Sequence, residues 1–196
     1  MRIAHAAAGF LLAVLVTACS PEGPSFKSTD ITGVGFGRDF ELTDHTGKPR
    51  TLADFRGKAV VMFFGFTQCP DVCPTALSTL AEAKRKLGTE AARVQGIFVT
   101  LDPERDTADL LSRYVTAFDP TFIGLVGDAD ATARVAREFK VVYQKSPGRT
   151  PESYTIDHTA AMFVFDPAGR LRLFVSHGQD AAALAHDLGE ILRTSG

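Results

Sequence analysis

The sequence has no cluster of lysine and arginine, and its formal net charge is only −2. Nothing in it therefore marks a nucleic-acid partner. It has no internal repeat, and beyond the N-terminal segment no apolar run is long enough to cross a bilayer. Cysteine is scarce: Cys19, Cys69 and Cys73 are the only three, so any thiol chemistry falls on them. What remains is 196 residues with 45% hydrophobic content, enough for one domain with a sizeable core and some excess.

The excess lies at the N-terminus. Met1-Arg2 precedes an apolar stretch from Ala6 to Val16, too short for a mature spanning helix and suited to a signal-peptide core. It ends in Val16-Thr17-Ala18-Cys19, which resembles a bacterial lipobox, where cleavage precedes the cysteine and its thiol is acylated. The expected organisation is a lipoprotein signal peptide over 1–18, a lipid-anchored tether over 19–37 and one domain over 38–196. The location is then extracytoplasmic, in a bacterial periplasm or on the outer cell surface. An ordinary signal peptide with a chance cysteine is the alternative. With Cys19 acylated, Cys69 and Cys73 are left as free thiols in an oxidising compartment, where an exposed pair tends to form a disulfide.

The chain is organised around Ala59-Val60-Val61-Met62-Phe63-Phe64, an apolar run without polar alternation that reads as a central strand covered on both faces. It stops at Cys69-Pro70-Asp71-Val72-Cys73-Pro74. Thr75 to Leu87 follows as a helix with Ala76, Leu80, Ala83 and Leu87 on one stripe. Pro74 biases Cys73 away from the α region and suits a first helical turn, so the helix is expected to begin near Pro74. Both sulfurs then sit at a helix N-terminus, whose unpaired N–H groups and positive dipole end favour thiolate, the form that binds metal or attacks a disulfide.

Further along, Arg38–Leu42 and Lys48–Leu52 flank Asp44-His45-Thr46-Gly47 as a hairpin, with His45 a surface turn residue. Val94–Leu101 and Phe122–Val126 read as strands. Helices are expected over Asp106–Phe118, with Asp106 as N-cap, and from Asp128 through Phe139. Val141–Gln144 reads as extended and Ser146–Ser153 as a loop. Ala160–Asp166 and Leu171–Ser176 form a second hairpin, and a helix over Asp180–Arg193 closes the chain. Strands alternating with helices and ending in a hairpin predict an α/β fold, a mixed central sheet with helices on both faces.

Three separated segments resemble the Sco (SenC) family. They are Gly65-Phe66-Thr67-Gln68-Cys69-Pro70-Asp71-Val72-Cys73-Pro74, Leu101-Asp102-Pro103-Glu104-Arg105-Asp106-Thr107 and Asp157-His158-Thr159. Gln68 stands where many relatives carry histidine or tyrosine. The resemblance implies a thioredoxin-like fold with an N-terminal β-hairpin and copper, Cu(I) or Cu(II), bound by Cys69, Cys73 and His158. It further implies a metallochaperone for the binuclear copper centre of cytochrome c oxidase subunit II. A periplasmic thiol reductant and other copper chaperones are the further partners implied.

The donor set agrees with that expectation. Thiolate is soft and imidazole borderline, so two cysteines and a histidine favour copper, with zinc chemically open. Asp157 is a candidate to orient the imidazole, as carboxylates do beside metal-bound histidine, and Asp102 a candidate on the rim. His177 is the next histidine available as a ligand, His186 reads as exposed, and Met62 and Met162 sit in core patterns. Without the family resemblance, the cysteines are equally well read as a structural disulfide. The same pair supports an enzymatic alternative, a thiol-disulfide oxidoreductase acting on the partner's copper-ligand cysteines with Cys69 attacking. A redox or copper sensor would use the same residues.

Overall fold

The computed structural model describes residues 23–150 and 153–194. The signal peptide and the lipidation site expected at Cys19 lie outside the described residues.

In chain order the strands begin with β1 (Thr29–Asp30), β2 (Leu42–Asp44), β3 (Pro49–Arg50) and β4 (Ala59–Gly65). Helix α1 (Val72–Lys86), β5 (Val94–Thr100), α2 (Ala108–Thr116), β6 (Ile123–Val126) and α3 (Ala129–Glu138) follow. The chain closes with β7 (Tyr143–Ser146), β8 (Thr155–His158), β9 (Ala161–Phe165), β10 (Leu171–Ser176) and α4 (Ala181–Thr194). Eight strands make one sheet in the order β1-β10-β9-β4-β5-β6-β2-β3, and β7 pairs with β8 apart from it. Strands β4, β5 and β6 run parallel, whereas β9 lies antiparallel on the other side of β4.

Every residue of β4 is buried, and its alternate side chains divide the core. Val61 and Phe63 pack with Leu77 and Leu80 of α1, Leu111 of α2 and Leu184 and Leu188 of α4. Met62 and Phe64 face the other way, onto Val135 of α3, Phe139 and Phe55. A strand covered on both faces has no use for polar alternation, which is why its sequence is a continuous apolar run. The expected thioredoxin-like architecture, a mixed sheet with helices on both faces and an N-terminal hairpin made by β2 and β3, is what the chain adopts.

Several local expectations are corrected. The segment read as a tether up to Gly37 is packed from Phe26 onward: Phe26 lies against the core and β1 pairs with β10. The Lys27 and Ser28 N–H groups donate to the Asp187 carboxylate at 2.7 and 2.8 Å. Helix α1 begins at Val72 rather than near Pro74, because a proline in the first turn removes only an N–H that has no helical partner, and tertiary packing overrides its bias on Cys73. Thr107, not Asp106, caps α2, its side chain accepting from the Leu110 N–H. His45 is more than a turn residue. Its backbone N–H donates to Gly124 O at 2.9 Å and its Nδ1 accepts from Gly124 N–H at 3.0 Å, fastening the hairpin to β6. The loop expected after Ser146 is present, and the strands it joins pair with each other, so His158 ends a hairpin strand.

Candidate metal and thiol site

The cysteines lie where β4 ends and α1 begins. Cys73 is fully buried in the first turn of α1, and Cys69 is half-exposed in the preceding turn. Both are free thiols. The Cys73 N–H donates to Cys69 Sγ at 3.4 Å, so a helix N-terminal donor does point at a sulfur. Gly65 makes room for this turn: a Cβ there would stand 2.7 Å from Cys73 Sγ and 2.9 Å from the Phe98 ring.

His158 arrives from β8, with its Nε2 3.7 Å from Cys73 Sγ. Its Nδ1 lies 3.0 Å from the Thr159 carbonyl oxygen. A carbonyl can only accept, so the proton sits on Nδ1 and the Nε2 lone pair of the neutral ring faces the sulfur. The rings of Phe63 and Phe66 make T-shaped contacts with the imidazole. Burial in this apolar setting lowers the His158 pKa, outweighing the Thr159 hydrogen bond and the Asp157 charge, which act the other way. The ring is thereby kept in the neutral form that ligates metals.

Burial also pushes the Cys73 thiol well up, against the Phe66 backbone hydrogen bond that favours its charge. This corrects the expectation of thiolate at both positions. For Cys73 in the metal-free protein, loss of water outweighs the field of the helix end.

A cleft of about 300 Å³ opens over the site, lined by Cys69, Pro70, Val72, Ile156 and His158 among others. Among the described residues, no three His, Cys, Asp or Glu side chains are already grouped as a closed metal site. Two donors are nonetheless set. Bonds of about 2.3 Å to sulfur and 2.0 Å to nitrogen together exceed the 3.7 Å between Cys73 Sγ and His158 Nε2, so one ion can touch both. Cys69 shares the cleft, and two thiols with one imidazole suit copper.

The other expected residues fall further out. The Asp157 carboxylate accepts from the Ser146 hydroxyl, and the His158 Nδ1 is engaged by Thr159 instead. Asp102 is fully buried and accepts from Arg105 Nε and from the Tyr154 hydroxyl at 2.6 Å. His177 is exposed and lines a separate cavity with Met162, whereas His186 Nε2 meets the Ser25 carbonyl. Met62 and Met162 are buried in the core, as their strand patterns indicated.

Sequence reasoning missed two supports of the site. Asp106 is buried and accepts from Thr67 N–H, Thr67 Oγ1 and Thr100 Oγ1, anchoring the turn that leads to Cys69. Tyr154 docks against Arg105. Its only sequence signal is the alternation Tyr154, Ile156, His158, which puts it in line with the face that Ile156 and His158 share in the strand it precedes.

Fold and site together define a thioredoxin-like α/β protein in which an imidazole faces a dithiol across a shallow cleft. The SCO1/SenC family profile matches residues 29–193, and the chain belongs to that family. The mitochondrial SCO2 homologue of Mus musculus is 40% identical over 152 residues, 76% of this chain and 60% of that protein. The chain thus spans less than two thirds of that relative. Among solved structures, apo Sco1 of Thermus thermophilus superposes with a TM-score of 0.77 at 43% identity, covering 86% of this chain and 98% of that one. ScoI of Bradyrhizobium japonicum, solved with copper bound, gives 0.74 at 39% identity over 80% of this chain and 99% of that one.

Proposed function

We propose that this protein is a copper metallochaperone that holds copper through Cys69, Cys73 and His158 and delivers it to the binuclear copper centre of cytochrome c oxidase subunit II. The observation that carries the reading is the neutral His158 Nε2 set 3.7 Å from Cys73 Sγ beside the Cys69 cleft. The copper-bound ScoI of Bradyrhizobium japonicum supports the choice of metal. Bound copper supplies a soft Lewis-acid centre that exchanges thiolate ligands. Cys73, fully buried, and His158, whose Nδ1 is held by the Thr159 carbonyl, retain their places. Cys69, half-exposed at the cleft mouth, is the ligand an incoming partner thiolate displaces first. The partner's ligand set thereby replaces this one without the metal passing free through solvent.

The test is an anaerobic Cu(I) titration of the reduced domain against a competing chelator. Wild type should form a one-to-one complex, and His158→Ala should bind much more weakly. Equal, weak binding by both would overturn the three-ligand site.

The exposed-and-buried arrangement of the two free thiols favours a second reading, thiol-disulfide exchange. In it the Cys69 thiolate attacks a partner disulfide, forming a mixed disulfide and releasing one partner thiol. Cys73 then attacks Cys69 Sγ, releasing the second thiol and leaving the Cys69–Cys73 disulfide. Two electrons pass to the partner, and a periplasmic thiol reductant restores the pair. His158→Ala should leave this activity largely intact, which separates the readings. A sensor would need the same site and a signalling partner. The proposed setting for all three is extracytoplasmic, with the protein held at the membrane by lipid on Cys19. Among the described residues no helix is long and apolar enough to cross a membrane.

A further inference from the structure

We propose that Tyr154 and Arg105 are positioning residues for His158, latching the hairpin that carries the histidine onto the loop that carries Cys69. The consequence for metal rests on the copper reading above; the latch itself rests on geometry alone.

His158 and the cysteines come from parts of the chain that no sheet joins. Strand β8 pairs only with β7 among the described strands, and this two-stranded ribbon stands apart from the eight-stranded sheet. At its C-terminal end Thr159 and Ala160 connect it to β9, so that end is fixed by the chain. The other end is held by side chains. The Tyr154 hydroxyl donates to buried Asp102 at 2.6 Å. The Arg105 guanidinium carbon lies 3.5 Å from the Tyr154 ring centroid, and its Nη1 donates to the Tyr154 carbonyl at 2.9 Å. Lys145 covers the same ring at 4.6 Å and pairs with Glu104 at 2.7 Å.

The same guanidinium reaches the other ligand segment. Arg105 Nη1 also donates to Gln68 Oε1 at 3.1 Å, and Gln68 immediately precedes Cys69. Arg105 is in turn oriented by Asp102 through Nε. One side chain thus ties the start of β8 to the turn before the cysteine pair.

Strand periodicity makes the latch matter at His158. Ile156 and His158 share the inward face of β8, and Tyr154, immediately before the strand, continues that face; Ile156 is buried in the core, while Thr155 and Asp157 point outward and are exposed. An extended strand is stiff over this length, so freeing Tyr154 lets the inward face tilt about its β9 end. The first contact in that path to loosen is the 3.7 Å approach of Nε2 to Cys73 Sγ.

The test uses Tyr154→Phe, which removes the hydroxyl and keeps the ring, with Arg105→Lys as a second variant that keeps the charge and loses the fork. Native-state hydrogen exchange of the metal-free protein should quicken at Tyr143–Ser146 and Thr155–His158 and stay unchanged in β4. Cu(I) affinity by chelator competition should fall about tenfold in Tyr154→Phe, the usual scale for losing an outer partner of a metal ligand. Added to His158→Ala, Tyr154→Phe should cost nothing further. Unchanged exchange in β8 overturns the latch, as does an equal affinity loss with and without His158. If wild type and His158→Ala bind Cu(I) alike, the copper reading fails, and the exchange data still decide whether the latch exists.

Discussion

At Asp106 two opposing effects meet in one buried carboxylate. Burial raises its pKa, and hydrogen bonds from Thr100 and Thr67 pull the other way without cancelling it. The unfolded chain therefore releases this proton first as pH rises above the ordinary value of 3.8, so the carboxyl's contribution to stability diminishes through that window. Asp106→Ala leaves the Thr67 and Thr100 donors without an acceptor and should cost about 1–3 kcal/mol. Asp106→Asn keeps one acceptor oxygen for Thr67 N–H and Thr100 Oγ1 and offers an amide that Thr67 Oγ1 can accept from by rotating its proton. It should be milder than alanine at neutral pH and should flatten the stability profile just above pH 3.8. Urea unfolding of the three proteins at several pH values checks both statements; an Asp106→Ala protein as stable as wild type would remove Asp106 from the site's support. The sequence could not show this, because an aspartate followed by threonine just ahead of an apolar helical stripe looks like a cap from either residue. Only the approach of Thr67, 39 positions earlier, separates the capping residue from the buried acceptor.

Among the elements, legibility followed period and length. The continuous apolar run of β4 and the stripes of α1, α2, α3 and α4 stood out because each is repeated over several residues. Strand β1 has two residues and no period, and its clamp is Asp187, 160 positions from Lys27, so nothing local distinguished it from a tether. The ribbon of β7 and β8 was hidden for a similar reason, its strands being short and separated by a stretch with prolines and glycine. Two glycines give predictions of opposite sign at this scale. Gly65→Ala drives a methyl into Cys73 Sγ and Phe98 at the strand-to-helix junction. It should destabilise by about 1–3 kcal/mol, the scale of an overpacked core, and weaken Cu(I) binding with it. Gly189 lies within α4, where a Cβ would meet nothing nearer than Leu87 at 4.0 Å. Gly189→Ala should therefore stabilise by up to about 1 kcal/mol through helix propensity and leave Cu(I) affinity unchanged. Denaturant midpoints and chelator competition on the pair measure both; a Gly65→Ala protein with wild-type stability and affinity would show that the junction has slack.

For the whole molecule, the direction in which the chain joins the sheet bears on where the site can work. Strand β1 runs antiparallel to β10, with Thr29 opposite Phe174, so the residues before β1 lie toward the Ser176 end. Ser176 pairs with Ala161, two residues after Thr159, and Phe63 of β4 pairs with Met162. The N-terminal segment therefore meets the domain at the end of the sheet that bears Cys69, Cys73 and His158. Phe26 is seven residues beyond Cys19, a separation of at most about 25 Å even when fully extended. If Cys19 carries the lipid, the cleft is held on the membrane side of the domain, within reach of a partner whose copper centre projects from that surface. In cells, Cys19→Ser should move the protein from the membrane to the soluble fraction and lower copper loading of the oxidase. The purified variant should keep wild-type Cu(I) affinity, because the site is built entirely downstream. Fractionation and oxidase assembly assays on this one substitution separate anchoring from ligation: retention at the membrane would reject Cys19 as the anchor, and full oxidase assembly from a released protein would show that the short tether has no bearing on delivery.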